Sequence, residues 1–389
     1  MTRLIEITGK ALSGEWGTDD TNGNGIPVLR TTNFTNEGIV DYEVVVTRCI
    51  EKKNIAEKYL RKGDIIIEKS GGSDKQPVGR VVYFDGAENT YLFNNFTGVL
   101  RVKDQEKWFP KYIFYSLYRN YKKGGTRIYE NKTTGLHNLK VDDYISRYEI
   151  VKVSYQVQQD ICVVLDKIQR ILKKRERQIK QLDILIKSRF TEMFGNPVSN
   201  SYDLPEATLS DLGEFGRGVS KHRPRNDIKL LGGKYPLIQT GDIANAGLYI
   251  TSYSNTYSEL GLRQSKMWDK GTLCITIAAN IAKTAILEFD ACFPDSVVGF
   301  IANERTNNIF IHYWFSFFQA ILESQAPESA QKNINLKILS ELKVIVPEKR
   351  KQDEFASFVK LIDKLKATIQ KSIDEAQTLF DSLMQEYFG

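Results

Sequence analysis

Apolar positions form a long helical stripe in the middle of the chain, between residues 156 and 195. They recur at alternating steps of three and four residues, which is typical of the buried face of a helix and of a coiled-coil seam. No Pro or Gly interrupts this run before Gly195, and Pro197 follows closely, so the helix is expected to end there. At 1.5 Å per residue it would be roughly 55 Å long. The stripe consists of Ile161, Leu165, Ile168, Leu172, Ile179, Leu182, Ile186 and Met193.

A second stripe of the same kind closes the chain, in residues 351–389. Near the starts of the two runs, Gln158-Gln159-Asp160 resembles Lys351-Gln352-Asp353, and at their ends Glu192-Met193-Phe194-Gly195 resembles Glu386-Tyr387-Phe388-Gly389. The chain is therefore predicted to be two repeats, each a globular segment followed by a long helix. The second stripe consists of Phe355, Phe358, Ile362, Leu365, Ile369, Ala376, Leu383 and Tyr387.

The segments before the two helices alternate short β-rich runs with Gly and Asn punctuation, which is typical of small mixed α/β domains. Residues 27–33 have a counterpart in residues 236–242, and residues 62–67 in residues 270–275. The boundaries that follow are a first domain at 1–154, a first helix at 155–197, a second domain at 198–348 and a second helix at 349–389.

The order of these parts predicts how the helices pair. The first helix leaves the first domain and reaches the second domain, where the second helix begins. Burial of both stripes then requires the second helix to run back antiparallel to the first. We expect two duplicated α/β domains separated by two long helices that form an antiparallel coiled coil, with an approximate internal two-fold axis and the carboxyl terminus beside the first domain.

Composition narrows the class of protein. The 389 residues are 41% hydrophobic and 26% charged, which is ordinary for globular protein. Four cysteines without a close pair or metal-ligand spacing indicate neither disulfides nor a zinc site, and favour the cytoplasm.

The amino terminus lacks the apolar core of a signal peptide, and no apolar run is suited to span a bilayer, so we expect a soluble protein without a membrane partner. A net charge of +6 is compatible with a polyanionic partner but is weak evidence for one.

Motifs for catalysis are missing from the sequence. Gly23-Asn24-Gly25 lacks the third glycine of a nucleotide-binding loop, and no Walker phosphate loop is present. Asn196-Pro197 is followed by Val198, whereas adenine methyltransferases hold their target amine with Asn-Pro-Pro-aromatic. The three histidines are scattered, and the sequence suggests no serine, cysteine or carboxylate partner for any of them. We therefore expect no catalytic residues, no cofactor and no metal.

Polar and basic loops at comparable places in the two domains are the candidates for DNA contact. Arg pairs with guanine and Asn or Gln with adenine through two hydrogen bonds, while Lys, Ser and Thr mostly hold phosphates. Any one such loop is more often a solvated surface loop, but recurrence in both repeats favours binding. The candidates in the first domain are Arg30, Thr31, Thr32, Asn33, Lys69, Ser70, Lys75, Gln76, Lys122, Lys123, Arg127 and Lys132. Those in the second domain are Ser220, Lys221, His222, Arg223, Arg225, Gln239, Thr240 and Lys332.

The basic run at residues 170–180 of the first helix has two interpretations. It is either the solvated face of a coiled coil or a path for the DNA between two half-sites.

The order of parts resembles the specificity subunit of type I restriction-modification systems, and the resemblance covers the whole chain. It is carried by the helix ends, Met193-Phe194-Gly195-Asn196-Pro197 and Tyr387-Phe388-Gly389. Ser13-Gly14-Glu15-Trp16-Gly17 and Lys221-His222-Arg223-Pro224 are also similar to stretches that recur in the target recognition domains of that family.

The resemblance implies that each domain reads one half of a split site in double-stranded DNA. It also implies that the paired helices set the spacing of the half-sites and recruit two methyltransferase subunits, and through them restriction subunits. This chain would bind neither S-adenosylmethionine nor ATP. Two alternatives stay open, a non-catalytic coiled-coil adaptor and a fused DNA methyltransferase.

Overall fold

The structure is a computed structural model that describes residues 1–51, 55–133, 136–278, 281–325 and 336–389, with residues 132–133 and 320–325 described by their backbone alone. The chain divides into two compact units. Unit 1 contains residues 1–174 and 372–389, and unit 2 contains residues 175–371.

Short strands form several small sheets in unit 1. One four-stranded sheet has the order β2 (Leu12–Ser13), β10 (Thr97–Leu100), β6 (Ile65–Glu68), β8 (Val81–Tyr83). Another has the order β3 (Thr18–Asp19), β5 (Val46–Cys49), β4 (Ile26–Leu29), β9 (Leu92–Phe93). A three-stranded sheet has the order β11 (Glu130–Thr133), β12 (Leu136–Leu139), β7 (Ser70–Gly72), and β1 (Thr2–Arg3) pairs with β13 (Glu149–Ile150). The helices are α1 (Leu4–Thr8), α2 (Pro110–Lys122) and α3 (Val141–Arg147).

Helix α2 lies in the core of unit 1. Pro110 occupies its first turn, where a missing N–H costs nothing. Tyr112, Ile113, Tyr115 and Leu117 are all fully buried, so this helix is covered on more than one side.

Unit 2 repeats this construction with longer strands. A five-stranded sheet has the order β15 (Gly213–Arg217), β23 (Val297–Ala302), β20 (Leu273–Thr276), β21 (Thr284–Leu287), β17 (Tyr249–Ile250). A four-stranded sheet has the order β18 (Asn255–Tyr257), β16 (Leu231–Leu237), β22 (Ala291–Cys292), β19 (Met267–Trp268), and β14 (Glu206–Thr208) pairs with β24 (Lys343–Ile345). The helices are α5 (Thr240–Asn245), α6 (Glu259–Arg263), α7 (Asn308–Gln325) and α8 (Leu336–Ser340).

The duplication predicted from the sequence is confirmed in the elements themselves. Strands β6 and β20 each follow a glycine with positive φ, Gly63 at 94° and Gly271 at 91°. Each glycine N–H donates to a strand-end carbonyl, that of Phe84 in unit 1 and that of Leu287 in unit 2. A tight turn at the same place thus starts the central strand of both units.

The two long helices are also confirmed. Helix α4 (Tyr155–Phe194) and helix α9 (Lys349–Phe388) each have 40 residues. Helix α4 belongs to unit 1 through Lys174 and then to unit 2, whereas α9 belongs to unit 2 through Lys371 and then to unit 1. The carboxyl terminus is accordingly in the first unit, where Phe388 shares an apolar cluster with Leu4 and lies 5.0 Å from Tyr112 between ring centroids.

Within unit 2 the two helices run antiparallel. Asp183 pairs with Lys366, and farther along α4 Arg189 lies 3.3 Å from Glu354. The ring of Phe355 is 5.4 Å from that of Phe190. Partners on α9 therefore have lower numbers as the numbers on α4 rise.

The buried face of each helix differs from the predicted stripe. Leu365, placed in the stripe, is 46% exposed, whereas Val359 and Phe190, left out of it, are fully buried. The reason is that the helix ends pack on the globular cores as well as on each other, as the stacking of Phe190 on Phe310 of α7 shows. A stripe predicted from the pairing of the two helices alone leaves out the residues that pack on the globular cores.

A buried glutamine begins each long helix and fixes the register of the repeat. The Gln158 side chain accepts from Phe109 N at 2.8 Å and donates to the carbonyls of Lys107 and Val153, both at 3.1 Å. Gln352 accepts from Thr306 Oγ1 at 2.9 Å and likewise donates to two carbonyls, those of Arg305 at 3.0 Å and Pro347 at 2.8 Å. Gln158 is thus the counterpart of Gln352, with the same offset that relates Glu192 to Glu386. The match of Gln159 with Gln352 predicted from the sequence was wrong by one position.

Among the described residues, no helix is both long and apolar enough to cross a membrane.

Candidate nucleic-acid interface

One basic candidate segment is residues 220–227 of unit 2, which we call the basic loop. Its side chains from Lys221 to Arg225 are exposed. Its backbone is fixed by neighbours on a separate segment, because Gln264 Oε1 accepts from the N–H groups of Lys221 at 2.7 Å and His222 at 3.0 Å. Ser265 Oγ donates to the Val219 carbonyl at 2.8 Å. The backbone at the start of the loop is thus anchored, while the side chains of residues 221–225 are exposed.

Acidic residues hold the side chains of the basic loop. Arg223 Nη1 donates to the carbonyls of Ser220 at 2.6 Å and His222 at 2.8 Å, and its Nη2 lies 3.5 Å from Asp295 Oδ2. Arg225 Nη2 lies 2.5 Å from Asp295 Oδ1. His222 Nε2 lies 3.1 Å from an Asp227 oxygen.

The pKa of Asp227 lies below its ordinary value. The backbone N–H of Lys229 is the largest cause, and the hydrogen bond with His222 is the next. Asp227 is therefore ionised at neutral pH and adds a fixed negative charge at the end of the basic loop.

Ser220 lies in a different environment from the rest of the loop. It is buried, and its Oγ has no hydrogen-bond partner among the described residues. Its burial makes Ser220 the least accessible of the candidates in the basic loop.

The segments after β4 and β16 have the same construction in the two units. Gln239 N donates to Asp242 Oδ2 at 2.7 Å at the start of α5, and Arg30 N donates to Asn33 Oδ1 at 3.1 Å at the start of a 3₁₀ turn. In both places the side chain three residues on caps the turn. Gln239 is exposed and Thr240 is half-buried.

Asn33 is buried, and its side chain hydrogen-bonds the backbone instead of facing solvent. It is 2% exposed, and its Nδ2 donates to the carbonyls of Asp41 at 3.0 Å and Val44 at 2.9 Å. Its neighbour Thr32 is exposed, while Arg30 and Thr31 are half-buried. Of this group, Thr32 is thus the one most open to a ligand.

An arginine that sequence reasoning missed supports this turn. Arg80 donates to the carbonyls of Phe34 at 2.9 Å and Thr31 at 2.8 Å, and lies 3.6 Å from Glu68. Burial raises the pKa of Glu68, the effect of Arg80 being smaller and opposite. No motif marks Arg80, since its partners come from distant parts of the chain.

The remaining candidates of unit 1 divide between the surface and the interior. Lys69 is half-buried, and burial is the main cause that lowers its pKa, with Lys58 as a second cause. Ser70 is half-buried in β7, where it pairs with Asn138 of β12. The side chain of Lys132 and the whole of Lys332 lie outside the described residues.

Apart from Thr32, the exposed candidates of unit 1 lie on two neighbouring segments. Gln76 closes a turn by donating from its N–H to Ser73 Oγ at 3.1 Å, and its side chain hydrogen-bonds the Tyr121 hydroxyl at the end of α2. Lys75 and Gln76 therefore lie beside the end of α2 and the segment after it, which carry three further exposed cations. These are Lys122, Lys123 and Arg127.

Comparison with known protein families identifies the family of the domains that carry these loops. The sequence model of the type I restriction modification DNA specificity domain matches residues 4–181 and 203–377. The chain belongs to this family. The two matches cover both sets of loops, so DNA sequence recognition by two target recognition domains is the activity of this specificity chain.

Individual relatives support the same assignment. The chain is 20% identical over 370 residues to a protein of Methanocaldococcus jannaschii assigned as the type I restriction enzyme MjaX specificity subunit. That alignment covers 93% of this chain and 85% of the relative.

Two solved structures share the fold. One is the S subunit of a type I restriction-modification system from M. genitalium, with a TM-score of 0.60, 16% identity, and coverage of 100% of this chain and 95% of that one. The other comes from work on complex assembly and conformational transition of the type I R-M system, with a TM-score of 0.58, 14% identity, and coverage of 100% and 96%.

Proposed function

We propose that each unit of this specificity chain reads one half of a bipartite site in duplex DNA. The observation that carries the proposal is the repeated loop construction, in which a capped turn follows a strand in both units and a basic loop or cluster lies in each. In unit 1 the contacting segments are Thr32, residues 75–76 and residues 122–127. In unit 2 they are the basic loop and Gln239.

The exposed side chains divide by chemistry. Arg223 and Arg225 suit two hydrogen bonds to a guanine edge, and Gln239 suits adenine. Lys75, Lys122 and Lys221 suit phosphates, where they fix the position of the duplex. Asn33, Ser220 and Lys69 are buried or half-buried, so they contribute less to direct contact, and Asn33 supports the turn that carries Thr32.

The long helices serve as the docking surface for two methyltransferase subunits. Among the apolar side chains that the helices expose, unit 1 has Ile171 at 40% and Leu379 at 51%, and unit 2 has Leu185 at 45% and Leu365 at 46%. The repeat relates Ile171 to Leu365 and Leu185 to Leu379. Two equivalent apolar surfaces on one chain suit two copies of one partner. Restriction subunits join through these partners.

The chain itself contributes recognition rather than catalysis, with no cofactor of its own, and works on cytoplasmic DNA. Burial raises the pKa of the Cys162 and Cys274 thiols, so neither is a thiolate nucleophile at neutral pH. Among the described residues no group of three or more His, Cys, Asp or Glu could hold a metal. Methyl transfer and cleavage are the chemistry of the partners.

The test is selection from a randomised duplex library by the full chain, with sequencing of the bound fraction. Arg223→Ala combined with Arg225→Ala should flatten the preference at one half-site, because a bidentate base contact is worth ~1–3 kcal/mol. Lys122→Ala combined with Arg127→Ala should weaken binding through unit 1 and leave that half-site readable.

A matched control is Lys270→Ala combined with Lys337→Ala, which removes two exposed cations of unit 2 that pair with Glu288 and Glu341. It should leave both preferences intact. Loss of both half-site preferences together in the Arg223 and Arg225 variant would contradict one reading loop per unit.

A further inference from the structure

Three arginines of unit 2 converge on one aspartate that no sequence motif marks. Asp295 lies in the turn between β22 and β23 and its side chain is 29% exposed. Its carboxylate faces Arg223 and Arg225 of the basic loop, and its backbone carbonyl accepts from Arg217 Nε. Oδ1 makes an ion pair with Arg225 but no aligned hydrogen bond.

The carboxylate is not what holds the loop backbone. Gln264 and Ser265 bind the backbone of residues 219–222, and Gly218 N donates to the Val297 carbonyl at 2.8 Å. Asp295 therefore acts on the two guanidinium groups, which are 55% and 47% exposed. Arg223 also donates to the carbonyls of Ser220 and His222, and Asp295 adds an ion pair that orients both side chains.

We propose that Asp295 is a positioning residue that selects for cognate DNA by occupying Arg223 and Arg225 in the free protein. This rests on the proposed function of the basic loop. A carboxylate and a phosphate bind a guanidinium through the same N–H donors. A DNA phosphate must therefore displace Asp295 to bind Arg223 or Arg225.

The consequence is a difference between cognate and other DNA. A duplex without the correct bases offers these arginines only phosphates. Replacing the Asp295 ion pairs by phosphate ion pairs gains little binding free energy. A duplex with the correct bases also forms hydrogen bonds between the base edges and the arginines, which compensate for the loss of the Asp295 ion pairs. The arginines are already oriented for these bidentate contacts. Asp295 thus lowers non-specific affinity more than specific affinity.

The experiment compares the full chain with Asp295→Asn, which keeps the shape of the side chain and removes its charge. On a 30-bp duplex of alternating dA and dT, used as non-specific DNA, the variant should bind ~3- to 10-fold more tightly at low salt. The slope of log Kobs against log salt should steepen by about one, which corresponds to one more phosphate neutralised. In library selection the preference at one half-site should fall ~10-fold, with the other unchanged.

Two controls separate local from general effects. Glu341→Gln makes the same change in net charge in unit 2, at a carboxylate whose partner is Lys337, and should leave the salt slope and both preferences unchanged. Asp295→Glu keeps the charge and should restore weak non-specific binding, which a purely structural role would not require.

The outcome also separates this inference from the function on which it rests. If Arg223→Ala with Arg225→Ala abolishes a half-site preference but Asp295→Asn matches the unchanged protein in salt slope and selectivity, the Asp295 inference is overturned and the reading loop stands. If the double arginine variant keeps both preferences, the reading loop itself is wrong. Should Asp295→Asn lower the melting temperature, it is placed in the double arginine background, where any further change in DNA binding overturns the inference.

Discussion

At the scale of single residues, His312 gives unit 2 a pH-dependent stability. It lies half-buried on α7, where its Nδ1 is 2.9 Å from Thr284 Oγ1. Burial lowers the pKa of its imidazole from 6.5 to about 4, and the nearby Lys366 adds to the effect. Between those two pH values the unfolded chain takes up a proton that the folded chain does not, so acid favours unfolding.

We therefore expect unit 2 to lose stability as the pH falls from 7 to 5. With a folded pKa of about 4, the loss from this residue at pH 5 reaches at most about 2 kcal/mol, since part of the ring stays exposed. The measurement is urea unfolding of the full chain at both pH values. His312→Gln, which cannot take up a proton, should reduce the difference between them. An equal pH dependence in the variant would mean that His312 titrates normally.

Single residues are also where the sequence was least informative. Asn33 has the amide that pairs with adenine, but the same amide equally fits backbone groups, and it is used for those of Arg30, Asp41 and Val44. Burial is a property of the fold that residue type does not reveal. Arginines were more predictable, because a guanidinium is rarely buried and the basic loop had to face outward. Their partner Asp295 could not be predicted from the sequence, since it lies 70 residues after Arg225 in the chain.

At the scale of elements, periodicity predicted the two long helices and their ends, because Gly195 and Pro197 cannot continue a helix. It did not predict which side of each helix is buried. The helices pack on α2 and α7 as well as on each other, and that surface exists only after the domains fold. The register of the repeat was missed for a related reason, since either of two adjacent glutamines fitted the pattern.

The buried glutamines provide a test of that register. Gln158→Ala should destabilise unit 1 by ~2–3 kcal/mol, because it leaves a buried N–H and two carbonyls without partners. Gln159→Ala, one residue on, removes a partly exposed side chain and should stay within ~0.5 kcal/mol. Both values come from urea unfolding of the full chain. A larger loss for Gln159→Ala would restore the register first predicted from the sequence.

At the scale of the whole molecule, the chain passes between the units only within the long helices, at residues 174–175 and 371–372. Duplication, connectivity and family could be predicted from sequence because each leaves a pattern repeated along the chain. The bases read could not, because loop geometry decides which edge a side chain reaches. If the helices set the spacing between half-sites, as we propose, their length is a quantity that can be changed without altering either set of loops.

Insertion of four helical residues after Lys174 and four after Lys371 should lengthen both helices together. Four residues add ~6 Å of helix, and DNA rises 3.4 Å per base pair along each strand, so the unread spacer should grow by one or two base pairs. Because four residues do not match the heptad, some stability should be lost, whereas seven residues keep the seam in register and should add about three base pairs. The measurement is sequencing of sites methylated by the lengthened chain with its methyltransferase. Insertion into one helix alone is the control, since it shifts the antiparallel pairing and should reduce activity instead of changing the spacer. A folded, active complex that keeps the original spacer after both insertions would mean that the bound DNA, or the partner subunits, set the distance instead of the helices.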